Sequence, residues 1–328
     1  MARRPLSGVS MNLTALRRIA PVLALSAATS LTACAYDSPA APEPGPTLEA
    51  SHDLLFEQAV PGNINESQLK VRDDRTGVVR DLFGQTISGA QPTVSADGQR
   101  VVYAAIRSLD DYDFQDLFLV TRTSAPRRIA LATGPEFSPA LSPNGQHLAF
   151  IKMTEEGNTQ LYVADVDGRN ETAVSLALAP GLRYGYSTPA WSPDGSRLLF
   201  SAGEPGSLHL HVVNANGSGL RQLTDTSVSD IDGAWAPDGQ TIAYVRTVSP
   251  SQSQIMIRHL STGAERAFNF PWRNRQPAWS PDGQRIAFAS NMTDNQDLEI
   301  YTVRPDGSGL TRLTDDMLRQ QSPRWIAR

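Results

Sequence analysis

The chain has 328 residues, 40% of them hydrophobic and 19% charged, which suits one large globular domain or two smaller ones. Its formal net charge is −5, but the first 34 residues hold four arginines (Arg3, Arg4, Arg17, Arg18) and no acid; taking those four charges away leaves −9. A body of that sign, with no run of Lys and Arg, excludes nucleic acid as a partner, because phosphate binding rests on clustered cations.

Residues 1–33 read as an export signal. Arg17 and Arg18 precede an apolar run, Ile19 to Leu31, of signal-peptide length and too short to span a bilayer. The run ends in Leu31-Thr32-Ala33-Cys34, which resembles the bacterial lipobox; an ordinary cleaved signal is the plainer alternative. Cys34 is the only cysteine, so disulfide chemistry does not account for it, and lipidation of Cys34 is expected. Ala35, rather than Asp, follows it, which points to a lipid anchor in the outer membrane facing the periplasm. Residues 34–51 contain Pro39, Pro42, Pro44 and Pro46 and nothing that could build a core. They read as an extended tether of roughly 3 Å per residue.

From residue 52 the chain repeats. Pro189–Gly195 and Pro277–Gly283 are the same heptapeptide, PAWSPDG, with looser copies starting at Pro92, Pro139 and Gly233. One position in each copy gives Val94, Leu141, Trp191, Trp235, Trp279 and Trp325, spaced 44 to 50 residues apart. That period, with four alternating runs per unit, predicts a β-propeller. In one unit, PAWS is a short strand and Ser280-Pro281-Asp282-Gly283 fits a type I turn, with Pro presetting φ. Arg285–Ser290, Leu298–Val303 and Leu310–Thr314 then supply three more strands. Five complete units follow residue 92. The segment from His52 offers strands two to four of a further unit, and Ser322–Arg328 offers its first strand. The expectation is therefore an all-β, six-bladed propeller of four-stranded antiparallel blades over 52–328, closed by both termini sharing one blade.

The pattern P-x-W-S-P-D-G…I-A-F…I-Y-x-V…D-G…L-T resembles the WD-repeat-like blades of the TolB propeller family, over essentially all of the chain after the tether. Members of that family carry an α/β domain before the propeller; here a signal and a tether stand in its place. TolB itself is a soluble periplasmic protein, whereas this chain reads as lipidated.

No catalytic set is apparent. There is no G-x-S-x-G elbow, and Ser218 and Ser308 sit in turns. His209 and His211 share a strand face and could seed a metal site, but His211 falls in the slot of Tyr162 and Tyr301, which favours packing. The acidic stretches Asp110 to Asp113, Asp294 to Asp297 and Asp315-Asp316 follow no recognised calcium-loop spacing. No cofactor and no metal is expected. The connections between blades, at 84–91, 132–138, 178–188, 225–232, 268–276 and 315–321, should gather at one mouth of the channel. They bring Phe137, Arg183, Tyr184, Tyr186, Trp272, Arg273, Arg275 and Arg319, residue types enriched at interface hot spots. The reading is a monomeric, non-catalytic envelope lipoprotein that binds a protein or peptide partner through this face. The alternative is a propeller that binds or cleaves a glycan in its central funnel.

Overall fold

The computed structural model describes residues 52–328 apart from 107–114, 132–135, 154–158, 175–182, 185–187, 205, 293–296 and 317. The leader, Cys34 and the tether lie outside the described residues, as do Tyr186, Asp110 to Asp113 and Asp294. Six antiparallel sheets are present, and each is one blade. The first blade runs Ala90–Val94, Arg100–Ile106, Gln115–Thr121 and Ser124–Arg128 from the inside outward. The third departs slightly: two short strands, Arg183–Tyr184 and Ala190–Trp191, share the inner edge of Arg197–Glu204. The sixth combines Gln320–Ala327 with His52–Val60, Asn63–Arg72 and Val79–Asp81. Leu54 pairs with Trp325 across that closure, so head and tail are zipped together by backbone bonds.

The repeated turn behaves as its chemistry requires. Gly283 N–H donates to the Ser280 carbonyl at 2.8 Å, and the Ser280 hydroxyl donates to Asp282 Oδ1 at 2.6 Å while accepting from Arg285 N–H at 2.9 Å. Gly283 has φ of +70°, which a side chain would strain. The same serine-centred knot recurs at Ser95, Ser142 and Ser192. Burial then holds the blades together. Phe56, Tyr103, Phe150, Phe200, Tyr244 and Phe288 occupy one slot of the second strand, one per blade, all nearly inaccessible. Each such ring contributes about 2–3 kcal/mol by leaving water. His211 stacks on Phe200 at 5.5 Å, as Tyr162 does on Phe150 and Tyr301 on Phe288 at 5.9 Å, so its packing role is realised.

Blades are also tied to their neighbours. Trp191, Trp235 and Trp325 each donate the indole N–H to an alanine carbonyl of the preceding blade, at 2.8, 3.1 and 3.1 Å. Arg197 and Arg285, which follow the turn of one blade, lie 4.6 Å over Trp235 and Trp325 of the next.

Candidate functional site

The inner strands surround a central cavity of about 360 Å³. Its wall includes Trp191, Trp235 and Trp279 and the turn prolines Pro143, Pro193, Pro237 and Pro281. The cavity therefore extends along the inner strands toward the end that carries the Ser-Pro-Asp-Gly turns; the opposite, loop end carries the connections between blades.

At the loop-end start of the inner strands the chain forms a narrow polar belt. Gln91, Ser138, Asp232, Gln276 and Ser322 all adopt φ between +52° and +54°, a left-handed conformation unusual for residues with side chains. The ladders shift register at each of them. The strain is held by bonds that pass from blade to blade. Gln91 N–H donates to Glu57 Oε1 at 2.6 Å and Ser138 N–H to Gln91 Oε1 at 2.8 Å. Gln276 N–H donates to Asp232 Oδ2 at 3.2 Å, and Ser322 N–H to Gln276 Oε1 at 2.9 Å. Such over-determined strain concentrates where geometry has to be fixed.

Two charges line the cavity, Asp232 and Arg324. Burial pushes the Asp232 carboxyl up from its ordinary value, against the pull of the Gln276 N–H and of Arg275 and Arg324. Burial likewise lowers Arg324, opposed by Asp232 and Glu57. Both side chains keep partial contact with the channel space although protein surrounds them. The slot of Arg324 is filled by Thr93, Ala140, Ala190, Ala234 and Ala278 in the other blades, so one guanidinium replaces a small side chain. This pair was missed from sequence. The signal was there: the position three before each Trp or its equivalent is polar in all six repeats, and the position just before it is small in five.

The predicted partner residues are distributed along the loop end rather than in the cavity. Phe137 lies in the inner strand of the second blade, partly buried against the apolar cluster around Ile151 and Trp191. Arg183 and Tyr184 form a short strand paired to Gly203 and Ala202; their side chains are outside the described set. Trp272 is 52% exposed with φ of +71°, and its carbonyl accepts from Ser253 N–H at 3.0 Å. Arg273 is exposed and holds the Pro250 carbonyl through Nε and Nη2 at 3.0 and 2.6 Å. Arg275 is exposed beside Asp232, and Arg319 is half-buried with its carbonyl accepting from Ala59 N–H at 2.9 Å. Trp272 and Arg273 thus lie in the connection into the fifth blade, Arg275 in the inner strand that follows it, and Arg319 one blade on. Among the described residues, no group of three or more His, Asp or Glu could hold a metal ion.

Comparison with known proteins fits this architecture. A 76-residue segment is 36% identical to the Tol-Pal system protein TolB of Actinobacillus succinogenes, covering 23% of this chain and 16% of that protein. A 125-residue segment is 27% identical to the uncharacterized peptidase YuxL of Bacillus subtilis, covering 37% of this chain and 18% of that one. The chain thus matches less than a fifth of the length of either relative. The crystal structure of TolB from Acinetobacter baumannii superposes with a TM-score of 0.70 at 18% identity, over 85% of this chain and 67% of that one. A putative TolB from Agrobacterium tumefaciens gives 0.62 at 15% identity, over 85% of this chain and all of that one. At those identities the two structures establish the fold alone. The family model for the TolB beta propeller domain matches residues 137–250 and 234–327, more than half of the chain, and the chain belongs to that family.

Proposed function

We propose that this chain is a non-catalytic lipoprotein of the bacterial envelope whose propeller binds a protein or peptide segment at its channel. The observation that carries the reading is the cavity itself: tryptophan and proline walls, with one guanidinium, Arg324, and one carboxylate, Asp232, set into them. Apolar walls with a few fixed polar groups suit recognition of an extended chain segment. The ring needs no rearrangement to present them, which lowers the ordering cost of binding. The exposed Trp272 and the arginines Arg273, Arg275 and Arg319, with Phe137, Arg183, Tyr184 and Tyr186, supply anchors at the loop end for a partner larger than the cavity. Lipidation of Cys34 and the Pro-rich tether place the propeller near a membrane, the outer one by the Ala35 rule.

Photo-crosslinking from Trp272 and from Ala278 in intact cells tests this. Both positions should capture the same protein. Arg324→Ala, and separately Trp272→Ala with Arg273→Ala, should weaken its co-purification at least tenfold. Unchanged recovery in both would refute the site. Cys34→Ser should move the chain from the membrane fraction to the soluble one.

A further inference from the structure

A second cavity, of about 270 Å³, lies in the seam between the sixth and first blades. Its floor is apolar, formed by Val71 and Ile326, which are 4% and 3% exposed. Its polar lining consists of two arginines and the Asp53 carboxylate. Arg80, from the outer strand of the sixth blade, and Arg122, from the outermost hairpin of the first blade, both face it. The seam is at the turn end, because His52 pairs with Ala327 there and the backbone of Ala327 abuts Gly98 of the first blade's turn. The described chain therefore begins beside this cavity.

The arginines are not consumed by the structure around them. Arg122 stacks 5.1 Å over the Phe83 ring and uses one donor, Nη2, on the Ala327 carbonyl at 2.6 Å. No described carboxylate pairs with it. Arg80 is half exposed and uses Nη2 on Asp53 at 2.7 Å. Asp53 is 2% exposed and also bonded by Arg328 Nε at 2.9 Å, so its charge is already answered twice. Arg328 in turn reaches Asp73 at 3.4 Å. Asp53 and Asp73 are thus engaged by Arg80 and Arg328, and Arg122 is left as the seam's guanidinium without a described carboxylate, in a body that is otherwise acidic. An unpaired cation at the rim of a concave site concentrates anions there.

We propose that this seam cavity is a binding site for a phosphate group. A guanidinium fork matches two coplanar oxygens, and one carboxylate would satisfy one fork. Two forks arriving from different blades suit a tetrahedral oxyanion, which offers oxygens in more than one plane. The volume left over the Val71, Ile326 and Phe83 floor accommodates a small organic body carrying that phosphate. Two sources share this chemistry: a soluble phosphate monoester and the headgroup of an anionic phospholipid. The site is independent of the channel and of the partner assigned to it.

The experiment uses the full chain in two arms, titration calorimetry with glycerol 3-phosphate and co-sedimentation with phosphatidylglycerol vesicles. Arg122→Gln and Arg80→Gln are compared with the unaltered chain, and circular dichroism confirms that each variant is folded. The site predicts binding in at least one arm, weakened about tenfold or more by Arg122→Gln and relieved by salt. Binding to the soluble ester identifies a metabolite-type ligand; binding confined to vesicles identifies a headgroup. No binding in either arm, or binding that Arg122→Gln leaves unchanged in a folded protein, overturns the proposal. Arg122 carries this test because Arg80→Gln also loosens Asp53.

Discussion

The third and fifth blades carry the same heptapeptide, yet its tryptophan is held differently in each. Trp191 donates its indole N–H to the Ala140 carbonyl at 2.8 Å and is 9% exposed. The Trp279 indole nitrogen is buried and has no hydrogen-bond partner among the described residues. Nothing inside the heptapeptide differs, so the cause lies in its surroundings. Trp235 and Trp325 are each roofed by an arginine of the blade before, Arg197 or Arg285. The residue in that slot before Trp279 is Thr241, whose short side chain turns back to Asp238 at 2.7 Å. Neighbouring blades thus supply two separable contacts: the slot before Trp191 holds His147 rather than an arginine, yet Trp191 keeps its indole bond, whereas Trp279 has neither roof nor bond.

The largest expected effect tests that conclusion directly. Trp325→Ala removes a side chain that is 7% exposed, bonded to the Ala278 carbonyl and stacked under Arg285, in the strand that closes the ring. It should destabilise by about 4 kcal/mol, toward the upper part of the range for large core truncations. Trp279→Ala, lacking bond and roof, should cost about 2 kcal/mol. Urea unfolding of the two variants side by side measures the difference; equal costs would break the comparison.

A second pair of equivalent positions separates just as clearly. Asp230 pairs in register with Arg246, and Glu136 in register with Lys152. The Arg246 fork grips Asp230 with bonds of 2.8 and 3.0 Å. The Lys152 ammonium is instead 2.6 Å from Glu171 and lies over the Tyr162 ring, leaving Glu136 without that bond. Burial pushes the Glu136 carboxyl up to about 7, with Asp116 and Glu171 adding to the rise and Lys152 and Arg128 opposing it. A folded-state value above the unfolded one means that ionisation is resisted by the fold. Stability from this group is then complete below about pH 4.5 and lost as pH climbs toward 7. Between pH 5 and 8 the unaltered chain should lose on the order of 3 kcal/mol from this residue. Glu136→Gln should flatten that slope, while Asp230→Asn should destabilise at neutral pH. Denaturant midpoints measured across the range decide it.

Arginine roofs give the next, smaller contrast. Arg285 both covers Trp325 and holds Asp74 at 2.5 Å, whose side chain is 5% exposed. Arg197 covers Trp235 and donates to the Gly239 carbonyl at 3.0 Å, and no ion pair is seen for it among the described residues. Arg285→Ala should therefore cost about 2 kcal/mol, because it leaves the buried Asp74 with only the longer 3.8 Å contact to Arg72, and Arg197→Ala about 1 kcal/mol. A shared cost would mean that stacking alone sets both.

The architecture was legible because its determinants are local and repeated. Ser-Pro-Asp-Gly fixes a turn by its own dihedrals and hydroxyls, and the spacing of Trp191, Trp235, Trp279 and Trp325 counts blades without any knowledge of contacts. The offset fragments around Leu54 and Trp325 even revealed the shared blade. The channel chemistry was harder to read, because Arg324 and Asp232 belong to different blades and line the same cavity only once the ring closes. Reading the repeat column by column, rather than along the chain, exposes Arg324 as the exception in a column of small residues. Trp272 and Arg273 stand out by residue type and by their place in the connection between blades. Their placement depends on Pro250 and Ser253 of an adjacent hairpin, which no spacing within the loop encodes.

The finest test isolates the indole N–H. Replacing Trp by Phe keeps an aromatic ring in the wall but deletes the donor. At Trp191, Trp235 and Trp325 the change leaves an alanine carbonyl of the preceding blade without its partner, and should cost about 1 kcal/mol beyond the loss of ring area. At Trp279 the donor has no partner to abandon, and removing it relieves a buried polar atom, so Trp279→Phe should be close to neutral. The two PAWSPDG segments are identical in sequence, so a difference between Trp191→Phe and Trp279→Phe arises from outside the heptapeptide, with the acceptor carbonyl of the preceding blade as the contact that differs. Equal costs would place the energy within the heptapeptide instead, and the arginine and alanine contacts between blades would be incidental to stability.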